Sequence, residues 1–310
     1  MFGKATVVDM IERSAENDAD RRNFLKTAGL AGLGVVGAGA ATTLGAGSAV
    51  AAPSDGAVLN FALNLEYLEA EFYAHAVFGR GLPESITTGK GRRGGVIGGR
   101  QVNFESKAVR SYAREIAADE INHVKFLRSA LGSAKVARPK IDIKKSFTAA
   151  ARAAGLIGPK QTFDPYANEN NFLLAAFIFE DVGVTAYKGA APLISNKTFL
   201  EAAAGILAVE AYHAGIIRTN LYAKGLVMAA RRISWARDSL DGKSDLDQGI
   251  GRKNRANLVP TDRNSIVFSR TAGEVLNVVY LTPERSRKGG FFPNGVNGSI
   301  NTSDNNARQA

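Results

Sequence analysis

Cysteine is absent from the 310 residues of this chain, and histidine and tryptophan are scarce, with three and one copies. Without thiolates the chain cannot form a disulfide framework, a zinc–thiolate site, an iron–sulfur cluster or a lipid-modified cysteine anchor. The absence of cysteine does not indicate a cellular compartment. It leaves carboxylates and the three histidines as the side chains with which a metal site could be built.

Negative charge is in the minority: 39 Lys and Arg face 29 Asp and Glu, for a net charge of +10. Such a surface favours anionic partners such as nucleic acid, lipid headgroups or acidic polysaccharide. A surface that only keeps a basic protein soluble is the alternative. Because no aromatic residues are interleaved with the basic runs as single-strand binders require, we expect an anionic envelope surface as partner and no specific nucleic acid.

The first 51 residues have the composition of an N-terminal targeting signal. Residues 20–26 read DRRNFLK and precede a weakly apolar, Gly/Ala-rich run, which resembles a twin-arginine export signal. Ala49-Val50-Ala51 fits the small-x-small pattern of a cleavage site. We therefore predict a signal peptide over 1–51, the twin-arginine export machinery as partner, and a mature protein in the periplasm, cell envelope or extracellular space. A retained membrane anchor is the alternative.

Apolar residues recur at helical spacing in four long segments. The predicted long helices span 55–78, 104–131, 164–191 and 195–230, and shorter ones span 145–154 and 266–281. A Gly-rich basic loop over 79–101 separates the first two, and a connection over 133–162 with two prolines separates the second from the third. Four long helices in two pairs, joined by one long crossover, predict an all-α four-helix bundle.

Two of the three histidines follow a glutamate by three positions, as Glu120-Ile-Asn-His123 and Glu210-Ala-Tyr-His213. A spacing of three places both side chains of each motif on one helical face, one turn apart, so both can reach a single metal ion. An exposed helical face with an ordinary histidine would be the alternative for either motif taken by itself.

Each preceding helix carries a glutamate and, seven residues later, a tyrosine: Glu66 with Tyr73, and Glu180 with Tyr187. Seven residues are about two helical turns, so each glutamate and its tyrosine lie on the same face. The chain therefore contains the same arrangement twice, a Glu and Tyr helix followed by a Glu-x-x-His helix. This duplication favours a metal site over two unrelated polar faces.

The order Glu, Glu-x-x-His, Glu, Glu-x-x-His resembles the ferritin-like di-iron and di-manganese carboxylate proteins. The segments LNFALNLEYLEAEFY and GGFFPNGVNG, with the leader, resemble the exported, desiccation-related branch of that superfamily. The resemblance implies a ferritin-like four-helix bundle over 52–230. It also implies a C-terminal extension over 231–310, with a short helix and an irregular tail, that packs on the bundle.

By the same resemblance the site would hold two metal ions, iron or manganese, which suit oxygen-rich ligands with one imidazole per metal. The implied ligands are Glu66 and Glu180 as the single-carboxylate ligands, and His123 and His213, which would each bind one ion. Glu120 and Glu210 would bridge the two ions. Tyr73 and Tyr187 would lie just outside the ligands as candidate catalytic residues. Core tyrosines with satisfied hydroxyls are the alternative.

Some neighbouring polar residues leave alternatives open. Glu69, one turn after Glu66, could add to it or replace it as a ligand. Glu71 is about 140° further round the helix from Glu66, which predicts a surface position. His75 is on the opposite side of the helix from Glu66 and is interpreted as non-ligating. Three further residues could orient ligands or simply be polar helix residues: Asp119, Asn122 and Asp181.

Two adjacent metal ions can change oxidation state together and act on oxygen or peroxide. Ferroxidase, manganese-type catalase or peroxide-reductase activity in oxidative or desiccation stress is therefore predicted, with a small oxidant as partner. A non-catalytic, metal-stabilised envelope or stress protein is the alternative. A homo-oligomer is left open, but a 24-subunit cage is disfavoured because the long loop and the C-terminal extension would decorate the bundle exterior.

Overall fold

The computed structural model describes residues 53–252 and 254–307, so the predicted export signal over 1–51 lies outside the described residues. We number the α-helices of the described ranges in chain order. They are α1 (Asp55–Phe78), α2 (Lys107–Leu131), α3 (Lys145–Ala153), α4 (Glu169–Ala190), α5 (Lys197–Ala223), α6 (Val227–Asp241) and α7 (Ala272–Tyr280). Short 3₁₀ turns span Glu84–Ile86, Gly132–Ala134 and Ala191–Leu193.

The four long helices pack as two pairs, α1 against α2 and α4 against α5. The predicted all-α bundle with one long crossover is confirmed: the chain passes from α2 to α4 through the segment that contains α3. Each strand is two residues long. Strands β1 (Val96–Ile97) and β2 (Ile141–Asp142) pair in parallel, and β3 (Gly251–Arg252) and β4 (Arg255–Ala256) pair antiparallel.

Side-chain caps set where the bundle helices begin. Ser54 Oγ accepts the N–H of Ala57 at 3.3 Å before α1, and Ser106 Oγ accepts the N–H of Val109 at 3.3 Å before α2. Such caps satisfy N–H groups that have no partner within the helix. The second and third helices therefore begin three and five residues later than predicted, because their caps are Ser106 and Asn168.

The fourth predicted helix is two helices. The single span predicted over 195–230 is wrong because Gly225 adopts a left-handed backbone, φ 71°, between α5 and α6. A glycine in this conformation is a common way for a helix to end. Asn196, rather than Ser195, caps α5 by accepting the N–H of Thr198 at 2.9 Å. The domain boundary predicted after residue 230 consequently falls within α6.

The C-terminal residues pack on the bundle through aromatic and amide contacts. The ring of Phe291 lies 4.9 Å from that of Phe179 on α4 and 5.0 Å from that of Phe147 on α3. Asn64 on α1 and Asn297 bond each other twice, at 2.8 and 3.0 Å. Because neighbours lie on all their sides, α1 and α4 are buried over most of their residues.

This coverage overturns the surface position predicted for Glu71, whose side chain is completely buried. Its carboxylate forms an ion pair with Arg138 and accepts the N–H of Leu82 at 3.2 Å. His75 Nδ1 lies 3.5 Å from the same carboxylate. The prediction assumed one solvated face on α1, but the 79–101 loop and the crossover cover that face.

Among the described residues, helix α5 is long and apolar enough to cross a membrane. Its most apolar stretch has a mean hydropathy of 1.3, and a third of that stretch is buried. One such helix is weak evidence for a span, since core helices of soluble proteins meet the same criterion. Its buried face carries Glu210, His213 and Arg218. We interpret α5 as a bundle helix.

Candidate metal centre

The structure brings all six predicted ligand residues together in the bundle interior. Glu66 comes from α1, Glu120 and His123 from α2, Glu180 from α4, and Glu210 and His213 from α5. Their atoms form two overlapping groups in which ligand atoms lie within 4.8 Å of one another. The first group is Glu66, Glu120, His123 and Glu210, and the second is Glu120, Glu180 and His213.

The first group gathers around His123. Its Nδ1 atom lies 3.2 Å from Glu66 Oε2, 3.7 Å from Glu120 Oε2 and 3.8 Å from Glu210 Oε1. Three carboxylates from three helices therefore face one imidazole nitrogen. The contact between Glu120 and His123 is local to α2, whereas Glu66 and Glu210 come from other helices. The group therefore depends on how the helices pack.

The second group gathers around His213. Its Nδ1 atom lies 3.1 Å from Glu120 Oε1 and 3.6 Å from Glu180 Oε2. Glu120 thus turns one oxygen towards each imidazole, and the two imidazole rings are 6.4 Å apart. A carboxylate in this position is suited to bridge two cations.

The two tyrosines bond the glutamate of the opposite helix. The Tyr73 hydroxyl on α1 donates to Glu180 Oε1 on α4, and the Tyr187 hydroxyl on α4 donates to Glu66 Oε1 on α1. Burial, with the charge of Glu180, raises the pKa of Tyr73 well above its usual value, so the phenol remains a donor. Each tyrosine leaves the other oxygen of its glutamate facing a histidine.

Several buried polar atoms of this cluster have no hydrogen-bond partner in the described part of the chain. They are both carboxylate oxygens of Glu120 and of Glu210, Glu180 Oε2 and His213 Nδ1. Leaving one such atom unsatisfied costs about 1–3 kcal/mol, and more for a charged group. Because these atoms converge and all but one of them are carboxylate oxygens, the donor set fits divalent metal cations.

Electrostatics support the same interpretation. Burial, with the negative charge of Glu120, raises the pKa of Glu66 to about 7. Burial and the surrounding carboxylates raise the pKa of Glu210 well above its usual range. Burial acts to lower the pKa of His213, but Glu180 and Glu120 outweigh it and raise that pKa to about 12. Without cations the cluster must retain protons to limit its charge; two divalent cations would provide that compensation instead.

The surroundings of the two histidines are not equivalent. Asp119 on α2 places Oδ2 3.1 Å from His213 Nε2 on α5, so His213 has a carboxylate on its second nitrogen. Such a partner fixes the orientation of a ligating imidazole. The corresponding position before Glu210 is Val209, which cannot act in this way. The two halves of the site are therefore chemically different.

The other two candidates for orienting ligands have different partners. Asp181 follows Glu180, but its carboxylate bonds Arg218 and Arg237 at 2.7 and 2.8 Å. Asn122 is exposed and accepts a hydrogen bond from Lys125 Nζ at 3.2 Å.

A third acidic group, Asp238, Asp241 and Asp247, also brings its oxygens within 4.8 Å of one another. Here arginines provide the positive charge: Arg270 pairs with Asp241 and Asp247, and Arg237 pairs with Asp247 at 2.6 Å. This arrangement is an ion-pair network that ties α6 to the C-terminal segment.

Glu69 lies outside the two groups of converging ligand atoms, whereas Glu66 belongs to the first. A Cβ built on Gly183 would lie 3.5 Å from Oε1 of Glu69 and would overlap Oε2 of Glu210. Burial, with the charge of Glu120, raises the pKa of Glu69 well above its usual value. Glu69 is thus a buried neighbour of Glu210 at the α1–α4 contact.

Gly183 was missed by the sequence interpretation, although a glycine inside a long helix is costly enough to be a signal. It stands one turn after Glu180, where the missing side chain leaves room for the Glu210 carboxylate. A β-carbon at this position would displace a predicted ligand.

We expect Gly183→Ala to lower metal affinity by about 10- to 100-fold, the range found when groups that orient ligands are lost. The matched control is Gly205→Ala on α5, where a Cβ meets nothing within 4 Å. Competitive metal titration and elemental analysis of both variants measure the effect. Equal metal content and affinity in the two variants would contradict this role of Gly183.

Comparison with known proteins gives one family and two relatives. The ferritin-like domain family matches residues 54–223. The desiccation-related protein PCC13-62 of Craterostigma plantagineum is 34% identical over 264 residues, which cover 79% of this chain and 83% of the relative. The ferritin-like catalase Nec2 of Nesocodon mauritianus is 31% identical over 267 residues, which cover 78% and 83%. No solved structure matches the chain significantly.

Proposed function

The chain belongs to the ferritin-like domain family, and we propose that it is an exported protein that uses two iron or manganese ions to decompose hydrogen peroxide. The observation that carries this proposal is the set of buried, unpartnered carboxylate and imidazole atoms of Glu120, Glu180, Glu210 and His213. Such a set is very costly in a helical core unless cations neutralise it.

Each side chain has a separate task in the proposed centre. Glu66, His123 and Glu210 would hold one ion, Glu180 and His213 the other, and Glu120 both. The resemblance implies a bridging role for Glu210 as well, but Glu210 belongs only to the first group of converging atoms. When bound, the paired ions supply Lewis acidity and a joint change of oxidation state. Tyr73 and Tyr187 donate hydrogen bonds to Oε1 of Glu180 and of Glu66. The Oε2 atoms of these glutamates face His213 and His123 and would be the ones to contact cations. Asp119 holds the imidazole of His213.

Peroxide is favoured as substrate for two reasons. The ligand carboxylates are at most 1% exposed, so the substrate must be small. In addition, two peroxide molecules yield oxygen and two waters without another reductant, whereas ferroxidase or peroxide-reductase activity needs iron or an electron donor. The name of the catalase relative in Nesocodon mauritianus points to the same reaction.

We expect protein loaded with manganese or iron to evolve oxygen from hydrogen peroxide, with one oxygen formed per two peroxides consumed. An oxygen electrode measures this, and metal-free protein is the control. Consumption of oxygen on adding ferrous iron would identify a ferroxidase instead. Absence of turnover with both metals would contradict the catalytic proposal.

The name of the desiccation-related relative favours a second function, in which the ions stabilise the bundle without turnover. Cations at about a thousandfold above Kd stabilise a site by about 4 kcal/mol, and each kcal/mol shifts the melting temperature of a domain this large by about 2–4 °C. We therefore expect chelation to lower the melting temperature by roughly 8–16 °C or more. Calorimetry with and without chelator measures it, and an unchanged melting temperature would refute the stabilising role.

Export through the twin-arginine route completes the proposal. The leader DRRNFLK and its apolar run support it, and a route for folded cargo would allow metals to be loaded before transport. The mature N-terminus, read by mass spectrometry from a secreted fraction, tests this; a chain that remains whole in the cytoplasm would contradict it.

A further inference from the structure

A cavity of about 490 Å³ lies between α6 and the β3–β4 hairpin. Three of its lining residues are arginines: Arg231 on α6, and Arg252 and Arg255 on the two strands. None of them belongs to the proposed metal centre. The cavity therefore needs an explanation of its own.

Arg252 and Arg255 are exposed and Arg231 is half-buried, and in the part of the chain that the structure describes no acidic side chain neutralises them. Arg252 and Arg255 are direct partners in the β3–β4 ladder, and like charges placed opposite each other destabilise a strand pair. Within the described residues none of the three forms an ion pair with a carboxylate. The carboxylate of Asp247, which precedes the lining residue Gln248 in sequence, is already engaged by Arg237 and Arg270.

Backbone carbonyls beside the cavity already accept hydrogen bonds from arginine side chains. Arg218 Nη2 donates to the carbonyls of Gln248, Gly249 and Asn257 at 3.0, 2.9 and 2.8 Å. Arg231 Nη2 donates to the carbonyl of Gly251 at 3.0 Å. Asp181 balances the charge of Arg218. The backbone carbonyls carry no net charge, so they leave the positive charge of the three lining arginines in place.

We propose that this cavity binds a phosphate-bearing ligand, either a soluble phosphate compound or a phospholipid headgroup. The planar guanidinium fork matches two phosphate oxygens at once, which a lysine ammonium cannot do. The cavity volume lies in the range of small-molecule sites, about 300–1,000 Å³. This site requires no metal and extends the protein's function beyond peroxide chemistry.

Trp235 provides a reporter for the cavity. It is the only tryptophan in the chain and is 59% exposed. It follows Arg231 by four residues on α6, and residues at this spacing are neighbours on a helix surface. A ligand that engages Arg231 should therefore change the fluorescence of Trp235.

The full chain is titrated with inorganic phosphate at constant ionic strength, followed by calorimetry and by Trp235 fluorescence. We expect saturable binding that the double variant Arg252→Gln/Arg255→Gln weakens at least about tenfold, or about 1.4 kcal/mol. The matched control, Arg110→Gln/Arg114→Gln, removes the same charge from exposed positions on α2 and should bind as the unaltered protein does.

Vesicles separate the two sources of phosphate. Binding to phosphatidylglycerol but not to phosphatidylcholine vesicles, lost in the hairpin variant and kept in the α2 variant, supports a lipid headgroup. Hairpin-dependent binding of phosphate without vesicle binding supports a soluble phosphate compound. The proposal is overturned if the unaltered protein binds neither probe, or if the hairpin and α2 variants lose binding equally.

Discussion

Replacing Glu120 with glutamine should lower metal affinity and peroxide turnover by at least about a hundredfold. Loss of a group that merely orients a ligand costs about 10- to 100-fold, and Glu120 contacts both halves of the site. Its two oxygens lie 3.1 Å from His213 Nδ1 and 3.7 Å from His123 Nδ1. Glutamine keeps the shape of the side chain but removes the charge and one acceptor oxygen.

The control for Glu120→Gln is Glu115→Gln, an identical exchange at an exposed position of α2. Elemental analysis gives the number of ions per chain, and an oxygen electrode gives the turnover. Two ions per chain and normal turnover in Glu120→Gln would exclude Glu120 as a shared ligand. Equal losses in both variants would point to a general charge effect rather than to ligation.

Replacing Arg270 with methionine should destabilise the fold by about 3–5 kcal/mol, the usual cost of removing one partner from a buried ion pair. Arg270 is 1% exposed and lies 2.6 Å from Asp241, beside Asp247, with a hydrogen bond of 2.8 Å to Thr185. Methionine replaces much of the volume but leaves two buried carboxylates without their cation. Urea unfolding measures the loss.

The pH dependence gives this prediction a second readout. Burial, opposed by Arg270, raises the pKa of Asp241 to about 7. A raised pKa means that the folded state favours the protonated acid. At about pH 5 Asp241 is neutral and needs no cation, whereas at about pH 8 it is charged. The variant should therefore lose more unfolding free energy at about pH 8 than at about pH 5. Arg263→Met, at an exposed position, should change stability by less than about 0.5 kcal/mol. Equal stability of the two variants would contradict the structural role of the network.

Packing also shows the partners of Asp181, for which the sequence left two roles open, an orienting group for a metal ligand or simply a polar helix residue. Asp181 is adjacent to Glu180 in sequence and could have oriented a ligand. Its partners, Arg218 and Arg237, come from α5 and α6 and are 37 and 56 residues away. No local pattern identifies such partners, because they are selected by the packing of the later helices.

The sequence by itself determined the bundle and the glutamate and histidine positions that face its interior. Spacings of three and seven are properties of a single helix, so the shared faces of Glu120 with His123 and of Glu210 with His213 follow from local geometry. Duplication of the pattern then indicated that the four helices face one another.

Only the tertiary structure decided which groups meet across helices. It pairs Tyr73 with Glu180 and Tyr187 with Glu66, places Asp119 on His213, and fits Glu210 against Gly183. It also buries Glu71, which the helix by itself would leave at the surface. The reason is physical: periodicity specifies the face of one helix, whereas the neighbour of that face depends on how separate helices, loops and the C-terminal segment pack.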